Sequence, residues 1–198
     1  APIVAIELAR VLNIAKEYGA EDLGQEAGEH WYERRYAISY KQSNAMRAGV
    51  LPDTMEIGCT WEKIIPTYKA VRKAALECGA SILAHFSHLY LDGGSIYFTF
   101  AMPVTIGEEG YLKLWDKTLG AAVSAGANVS HHHGIGKLKA PVLHKVWGGS
   151  RKIYNEVRRG IDPDGILNPK VLVPIESQAH RAKQVFPTRV LPPVEMEA

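Results

Sequence analysis

The sequence predicts an α+β fold: a ferredoxin-like (split βαβ) antiparallel sheet with helices on one face, plus helical extensions at both ends. Two observations predict it. In the central part of the chain, some segments have apolar residues at every second position, as strands do, and others have them at the helical period. These segments follow the order strand, helix, strand, strand, helix, strand. With 198 residues, 46% of them hydrophobic and 22% charged, the chain is also long and apolar enough to form a core.

The N-terminal part predicts helices. Apolar residues follow a helical period over about residues 2–18, and Gly19 follows where a helix would end. Residues 21–29 are rich in acid, glycine and alanine and predict a short connection. Arg34 and Arg35 then share one side of a helical turn with a tryptophan, where paired arginines can hold a carboxylate or phosphate by bidentate hydrogen bonds. A solvated helix face is the alternative.

The middle of the chain contains the predicted sheet. Residues 36–40 alternate in an extended pattern and precede a short helix through Met46. Longer helices are predicted over residues 61–78 and 108–125. The predicted strands of the sheet cover residues 50–60, 81–90, 95–102 and 127–130. In the third of these, apolar residues share one face, so Tyr97 should point away from the core, toward the other side of the sheet.

The C-terminal part predicts an interrupted helix and a tail. The helix covers residues 142–161 with a break at Gly148-Gly149, and its Val146, Trp147, Ile153 and Val157 should face inward. The sequence Asp162-Pro163-Asp164-Gly165 ends it as a turn. Several prolines beyond Pro174 predict an extended tail over 174–198 that docks on a partner or is mobile.

Proton chemistry is concentrated in residues 130–139, Ser-His-His-His-Gly-Ile-Gly-Lys-Leu-Lys. Imidazole has an unperturbed pKa of about 6.5, so His131, His132 and His133 can donate or accept protons near neutrality. The glycines that follow allow close approach of a ligand to the backbone. Tyr97 can donate or relay a proton and is the further catalytic candidate. A polar loop with incidental histidines and an ordinary cross-strand tyrosine are the alternatives.

Composition excludes several classes of function. The formal net charge is +2 and no basic run exceeds two residues, which argues against a nucleic-acid partner. No apolar run approaches the roughly 18 residues that a spanning helix requires, and no signal peptide is apparent. Cys59 and Cys78 form no metal-like pair and fit a reducing cytoplasm. No metal is expected. The chain begins at Ala1 without an initiator methionine, so a piece of a longer polypeptide and a trimmed chain are both open.

Several motifs resemble one enzyme family. Ser-His-His-His-Gly-Ile-Gly-Lys-Leu at 130–138, followed by Asp-Pro-Asp-Gly-Ile-Leu-Asn-Pro at 162–169, resembles the C-terminal half of FAD-linked oxidases of the vanillyl-alcohol-oxidase type. Asp-Thr-Met-Glu at 53–56 and Gly-Ser-Ile-Tyr-Phe at 94–98 are most similar to the subgroup of alkyldihydroxyacetonephosphate synthases and their prokaryotic relatives. The resemblance covers about residues 31–173.

The resemblance implies a substrate-binding cap over FAD that is held mainly by a separate N-terminal FAD-binding domain, absent from this chain. It implies exchange of acyl for alkyl on dihydroxyacetone phosphate through a flavin adduct, with Tyr97 and His131–His133 moving protons. Gly134 and Asn168 would lie near the flavin. Residues implied to bind substrate are Arg34, Arg35, Lys41, Gln42, Arg47 and His88. Gln42 departs from the subgroup, which often has a phosphate-binding arginine at that position.

The organisation expected on this basis is an N-terminal helix and connection over 1–30, a cap over 31–130, a histidine loop and helical segment facing the flavin domain over 131–173, and the tail. Two alternatives remain. One is an FAD-dependent 2-hydroxy-acid dehydrogenase, in which a histidine takes the hydroxyl proton while hydride passes to the flavin. The other is a non-catalytic binding subunit. The protein is expected in the cytoplasm, and homodimerisation is left open.

Overall fold

The computed structural model describes residues 2–164, 166–168 and 171–172, without the side chains of residues 38–41 and 144. The chain divides into two compact units, Ala1–Ser43 and Asn44–Ala198. The predicted tail over 174–198 lies outside the described residues.

Helices make up the N-terminal part of the chain. The helix α1 (Pro2–Glu17) confirms the first predicted element, and α2 (Glu26–Arg34) begins inside the segment predicted as a connection. The extended pattern predicted over residues 36–40 is wrong, because α3 (Ile38–Arg47) occupies that segment. Three alternating residues are too few to outweigh the good helix formers that follow them, among them lysine, glutamine, alanine and methionine.

The second unit contains a three-stranded antiparallel sheet of order β1-β3-β2. Its elements are β1 (Val50–Thr60), α4 (Trp61–Glu77), β2 (Ser81–Ser87), β3 (Gly93–Pro103), a single 3₁₀ turn (Val104–Ile106) and α5 (Gly107–Ser124). The structure therefore confirms the predicted α+β class and the order of these strands and helices.

The fourth predicted strand, residues 127–130, is reduced to one antiparallel bridge between Asn128 and Gly58. The amide of Asn128 donates to the Gly58 carbonyl at 2.8 Å. Past this bridge the backbone amides of residues 131–133 donate to the side chain of Glu56 instead of to the backbone carbonyls of β1. A side-chain acceptor therefore replaces the ladder, and the strand ends.

The core lies between the sheet and the helices α4 and α5. Strand residues facing these helices are fully buried, namely Met55, Ile57, Ile96, Phe98 and Phe100. At the edge of the core, the Asp53 carboxylate accepts hydrogen bonds from the Tyr111 hydroxyl at 2.6 Å and from Trp115 Nε1 at 3.0 Å. Because side chains alternate along a strand, Tyr97 points to the opposite face of the sheet, as predicted.

Two helices complete the described chain. They are α6 (Ala140–Trp147) and α7 (Ser150–Ile161), separated at Gly148-Gly149, which confirms the predicted interruption. Trp147 packs against the core, as predicted. The prediction that Val146, Ile153 and Val157 face inward is wrong, because these residues are 39%, 69% and 56% exposed. Within the described ranges, no element covers this side of α7. None of the described helices is both long enough and apolar enough to cross a membrane.

Candidate active site

The candidate site lies on the sheet face that α4 and α5 leave open. Tyr97 on β3 is directly opposite Glu56 on β1 in the strand register. After the Asn128 bridge, the segment 130–139, here called the histidine loop, brings its three imidazoles to the same face. The alternation of side chains along β3 thus places the tyrosine on this face, and the histidines follow the segment that was predicted as a fourth strand.

Tyr97 and His132 form the central contact of the site. The Tyr97 hydroxyl lies 2.6 Å from His132 Nε2. On the other side of the ring, His132 Nδ1 lies 2.8 Å from His131 Nδ1 and 3.5 Å from Glu56 Oε1. A carboxylate can only accept, so the neutral His132 ring is best satisfied with its proton on Nδ1. Nε2 is then free to accept the hydroxyl proton of Tyr97.

His88 and His133 complete the cluster around the tyrosine. His88 Nδ1 lies 3.5 Å from the Tyr97 hydroxyl and 3.4 Å from Ser95 Oγ, and its ring is 4.6 Å from that of His132. His133 packs edge-on against Tyr97 with ring centroids 5.3 Å apart. His88 has a φ of 50°, a left-handed conformation that costs a residue with a Cβ roughly 1–2 kcal/mol. Backbone strain therefore accompanies the placement of this side chain beside Tyr97.

Glu56 is the component of the site that sequence reasoning missed. Its side chain is fully buried and accepts hydrogen bonds from Ser130 Oγ at 2.9 Å and from the backbone amides of His131, His132 (3.0 Å) and His133 (3.2 Å). Lys139 Nζ lies 3.4 Å from its Oε2. One signal was present in the sequence: a glutamate between the apolar residues Met55 and Ile57, on the strand face opposite to theirs.

The pKa values of these groups respond to burial and to charge. Burial alone would raise the pKa of Glu56, but the Ser130 hydrogen bond, the Lys139 charge and the loop amides outweigh it and lower that pKa to about 2. Burial, assisted by the negative charge of Glu56, raises the pKa of Tyr97. Desolvation, assisted by the neighbouring imidazoles, lowers the pKa of His132 although Glu56 opposes this. Burial also lowers the pKa of Lys139.

Glu56, His131 and His132 also form a group whose ligand atoms lie within 4.8 Å of one another. Both oxygens of Glu56 already accept hydrogen bonds. Oε1 accepts from the amides of His131 and His132, and Oε2 accepts from Ser130 Oγ, the amide of His133 and Lys139 Nζ. A carboxylate offers about four lone-pair sites, so a cation would have to displace several of these donors. The donor set does not fit a metal ion as it stands, and the expected absence of one stays a prediction.

The remaining predicted residues lie elsewhere. Gly134, with a φ of 79°, continues directly from the histidines, whereas Asn168 lies in the turn after α7 and, among the described residues, is not part of the hydrogen-bonded cluster. Arg34, Arg35 and Gln42 belong to the first unit and Arg47 to the second, and the side chain of Lys41 is not described. Their roles toward a substrate stay predictions.

FAD is the cofactor that the predicted family implies, and the open face fits one wall of a flavin site. The imidazoles of residues 131–133 are exposed there and the Tyr97 phenol is half-buried, and no described atom beyond Gly134 and its two chain neighbours lies within 4 Å of the position where a Cβ on Gly134 would be. A planar ring could therefore approach this backbone. The described residues offer this wall and not a complete binding site.

Comparison with known proteins identifies the chain's relatives. It is 26% identical over 180 residues to the alkyldihydroxyacetonephosphate synthase of Trypanosoma brucei brucei, covering 84% of this chain and 28% of that protein. For the synthase of Dictyostelium discoideum the identity is 25% over 181 residues, covering 87% and 30%. An uncharacterized FAD-linked oxidoreductase, YgcU of Escherichia coli K12, is 23% identical over 151 residues, covering 70% and 31%. The chain thus spans about three tenths of the length of these relatives.

The fold is shared with a solved alkyldihydroxyacetonephosphate synthase, at a TM-score of 0.59 and 20% identity, over 85% of this chain and 29% of the other. At this identity the likeness concerns the fold alone. A family profile described as FAD linked oxidases, C-terminal domain, matches residues 3–172. The protein therefore belongs to the family of C-terminal domains of FAD linked oxidases.

Proposed function

We propose that the chain is the substrate-binding cap of an FAD-dependent enzyme that exchanges the acyl group of acyl-dihydroxyacetone phosphate for an alkyl group. The observation that carries the proposal is the 2.6 Å contact between the Tyr97 hydroxyl and His132 Nε2 on the open face of the sheet. The names of the matched synthases support the substrate class. FAD would be held mainly by a separate N-terminal FAD-binding domain.

The reaction needs a proton acceptor. The bond between the dihydroxyacetone carbon and the ester oxygen breaks, and the acyl chain leaves with that oxygen as a fatty-acid carboxylate. The incoming fatty alcohol loses its hydroxyl proton as its oxygen bonds to the same carbon, so there is no net oxidation. FAD, when bound, would supply the electron-accepting ring against which this exchange occurs. Tyr97 would take the proton of the alcohol while passing its own to His132 Nε2. His131, 2.8 Å from His132 Nδ1, would help to disperse the charge that His132 gains.

Substrate and cofactor contacts are proposed from the charge of the side chains and from the resemblance of the motifs to the family. A phosphate monoester has close to two negative charges and is best held by more than one cation, so Arg34, Arg35, Lys41 and Arg47 are the candidates. Gly134 and Asn168 would contact FAD. The ferredoxin-like assignment also belongs to this proposal, because the Asn128 bridge lies at the free edge of β1 where that fold has its fourth strand.

A second candidate is an FAD-dependent 2-hydroxy-acid dehydrogenase. Two observations favour it: the match to an FAD-linked oxidoreductase of Escherichia coli, and Gln42, which cannot supply the charge of a phosphate-binding arginine. In that reaction His132 or His133 would take the hydroxyl proton of the acid, and one arginine would suffice for its carboxylate.

The test combines the chain with its flavin-binding domain. The enzyme is given acyl-dihydroxyacetone phosphate with a long-chain alcohol and, separately and without oxygen, D-lactate, glycolate or D-2-hydroxyglutarate. Ether product without bleaching of the flavin is expected. Rapid bleaching by a hydroxy acid, with no ether product, would refute the exchange and leave the dehydrogenase.

Variants then locate the chemistry. Tyr97→Phe and His132→Ala, which remove the two partners of the 2.6 Å contact, should each lower turnover by about 10² to 10⁴, the usual contribution of a positioned acid or base. Thr99→Ala is the matched control. Thr99 lies two residues from Tyr97 on the same face of the strand, and among the described residues its hydroxyl is hydrogen-bonded to that of Thr54, at 3.3 Å. If both active-site variants keep the rate of the control, the proton chemistry lies elsewhere.

A further inference from the structure

The buried carboxylate of Glu56 lies at the centre of the histidine loop. We propose that Glu56 is the positioning residue that holds this loop, and with it the imidazoles, in place over Tyr97. The inference rests on the proposed function for its catalytic meaning. Its structural basis is independent of the substrate, because it depends only on contacts between β1 and the loop.

The loop backbone is folded around one anion. Three consecutive backbone amides, those of His131, His132 and His133, donate to the two oxygens of Glu56, and Ser130 Oγ donates to the same carboxylate at 2.9 Å. Consecutive amides converging on one point form an anion-binding nest. Since the amides face the carboxylate, the imidazoles are left to project toward Tyr97 and His88.

Lys139 closes the other end of the loop on the same residue. Its Nζ donates to the backbone carbonyl of Glu56 at 2.7 Å and lies 3.4 Å from Oε2, and its side chain is only 5% exposed. The lysine therefore neutralises the buried carboxylate and joins residue 139 to the position that already holds residues 130–133. The loop is held at both ends by one strand residue.

Glu56 is not itself suited to act on a substrate. Its oxygens are occupied by donors, its side chain has no exposed surface, and its low pKa keeps it ionised. Removal should therefore act through the placement of His132, whose Nδ1 lies 3.5 Å from Glu56 Oε1. If the amides bind the side chain as an anion, a small free carboxylate should occupy the same place when Glu56 is replaced by alanine. Ordinary packing would not give this result.

The experiment measures the backbone amide and imidazole NMR signals of the 198-residue chain. In Glu56→Ala, the amide signals of residues 131–133 should leave their wild-type positions, and the His132 imidazole should titrate at lower pH because the neighbouring negative charge is gone. Addition of formate should return both sets of signals toward the wild-type positions. Sodium chloride at the same ionic strength should not. Glu62→Ala, at an exposed acid on α4, is the control and should leave these signals unchanged with or without formate.

Two results would overturn the proposal. One is a folded Glu56→Ala chain whose loop amides and His132 titration match the wild type. The other is a displaced loop that formate does not restore. Because Glu56→Ala leaves Lys139 buried without its partner and can prevent folding, the neutral double variant Glu56→Gln/Lys139→Met is measured beside it. Loop signals displaced in a folded double variant support the anchor, and wild-type loop signals in it refute the anchor.

Turnover distinguishes this inference from the proposed function. In the enzyme completed by its flavin-binding domain, Glu56→Ala should lower kcat by about 10- to 100-fold, the range for groups that orient a reacting side chain, with partial recovery in formate. If the wild type forms no ether product, the proposed exchange fails while the NMR result still decides the anchor. If the wild type is active but the NMR shifts are absent, only the anchor fails.

Discussion

Acid should destabilise the second unit through Glu56 over a defined range of pH. The change to be tested is Glu56→Gln, which keeps the shape of the side chain but removes its charge. In the folded chain the pKa of Glu56 is lowered from 4.5 to about 2. The folded state therefore binds its proton less readily than the unfolded state, and the ionised carboxylate stabilises the fold.

The size and range of the effect follow from these two values. Lowering the pKa of Glu56 from 4.5 to about 2 stabilises the folded state by roughly 3 kcal/mol at pH 7, because each pKa unit is worth about 1.4 kcal/mol. This contribution is complete above pH 4.5 and is lost as the pH falls toward 2. By pH 3 about 2 kcal/mol of it should be gone. Since the side chain has no exposed surface, screening by solvent should not reduce the effect appreciably.

Urea unfolding followed by tryptophan fluorescence at pH 7, 5, 4 and 3 measures the difference in free energy of unfolding between the wild type and Glu56→Gln. The difference should shrink between pH 5 and pH 3, as the Glu56 carboxylate becomes protonated in the unfolded state. Glu62→Gln is the control, because the Glu62 side chain is 74% exposed and its loss should change stability by less than about 0.5 kcal/mol at each pH. A difference that does not shrink between pH 5 and 3 would show that the loop amides and Lys139 do not depress this pKa.

Other predictions concern the core, the backbone and the histidines. Phe98→Ala, at a fully buried position in the middle strand, should cost about 3–5 kcal/mol in urea unfolding. Gly93→Ala should destabilise the β1 and β3 pair, because a Cβ there would overlap the Cys59 carbonyl, whereas Gly120→Ala within α5 meets no atom and should stabilise by about 0.5–1 kcal/mol; equal thermal shifts for the two would contradict this. The NMR titration of His132 should give a pKa below that of a free imidazole, so protonation as the pH falls below about 6.5 should disfavour the fold, and a titration at or above 6.5 would be inconsistent with desolvation of the ring.

Much of the sheet was predictable because strand and helix periods are local properties of the sequence. The alternation in β3 placed Tyr97 on the face opposite Phe98, and the structure confirms it. Residues 127–130 could not be assigned in this way. Their local pattern is that of a strand, but the acceptor that ends the ladder is Glu56, some 75 residues earlier in the chain. Only the folded backbone brings that competitor to the loop.

The clustering of Tyr97 with the histidines was predictable from the sequence, but the residue that supports the cluster was not. A run of three histidines is visible in any reading of the chain, whereas the function of Glu56 depends on donors from Ser130 through Lys139 that no spacing rule connects to β1. The exposure of Ile153 and Val157 has a related cause. Helical periodicity identifies an apolar stripe, yet it does not identify which surface covers that stripe, and no described element does so.

The directions of the two pKa shifts at the centre of the site give the arrangement its chemical meaning. Burial raises the pKa of Tyr97, so at neutral pH this side chain is a phenol that holds its proton. Desolvation lowers the pKa of His132, so its ring is neutral and Nε2 can accept. The two pKa values thus move apart. Before any substrate binds, the protonated phenol of Tyr97 lies 2.6 Å from an unprotonated nitrogen of His132. The negative charge of Glu56 acts on both members, since it disfavours a phenolate at Tyr97 and favours an imidazolium at His132. A single buried carboxylate therefore opposes early ionisation of the tyrosine and stabilises the charge that proton transfer would place on the histidine.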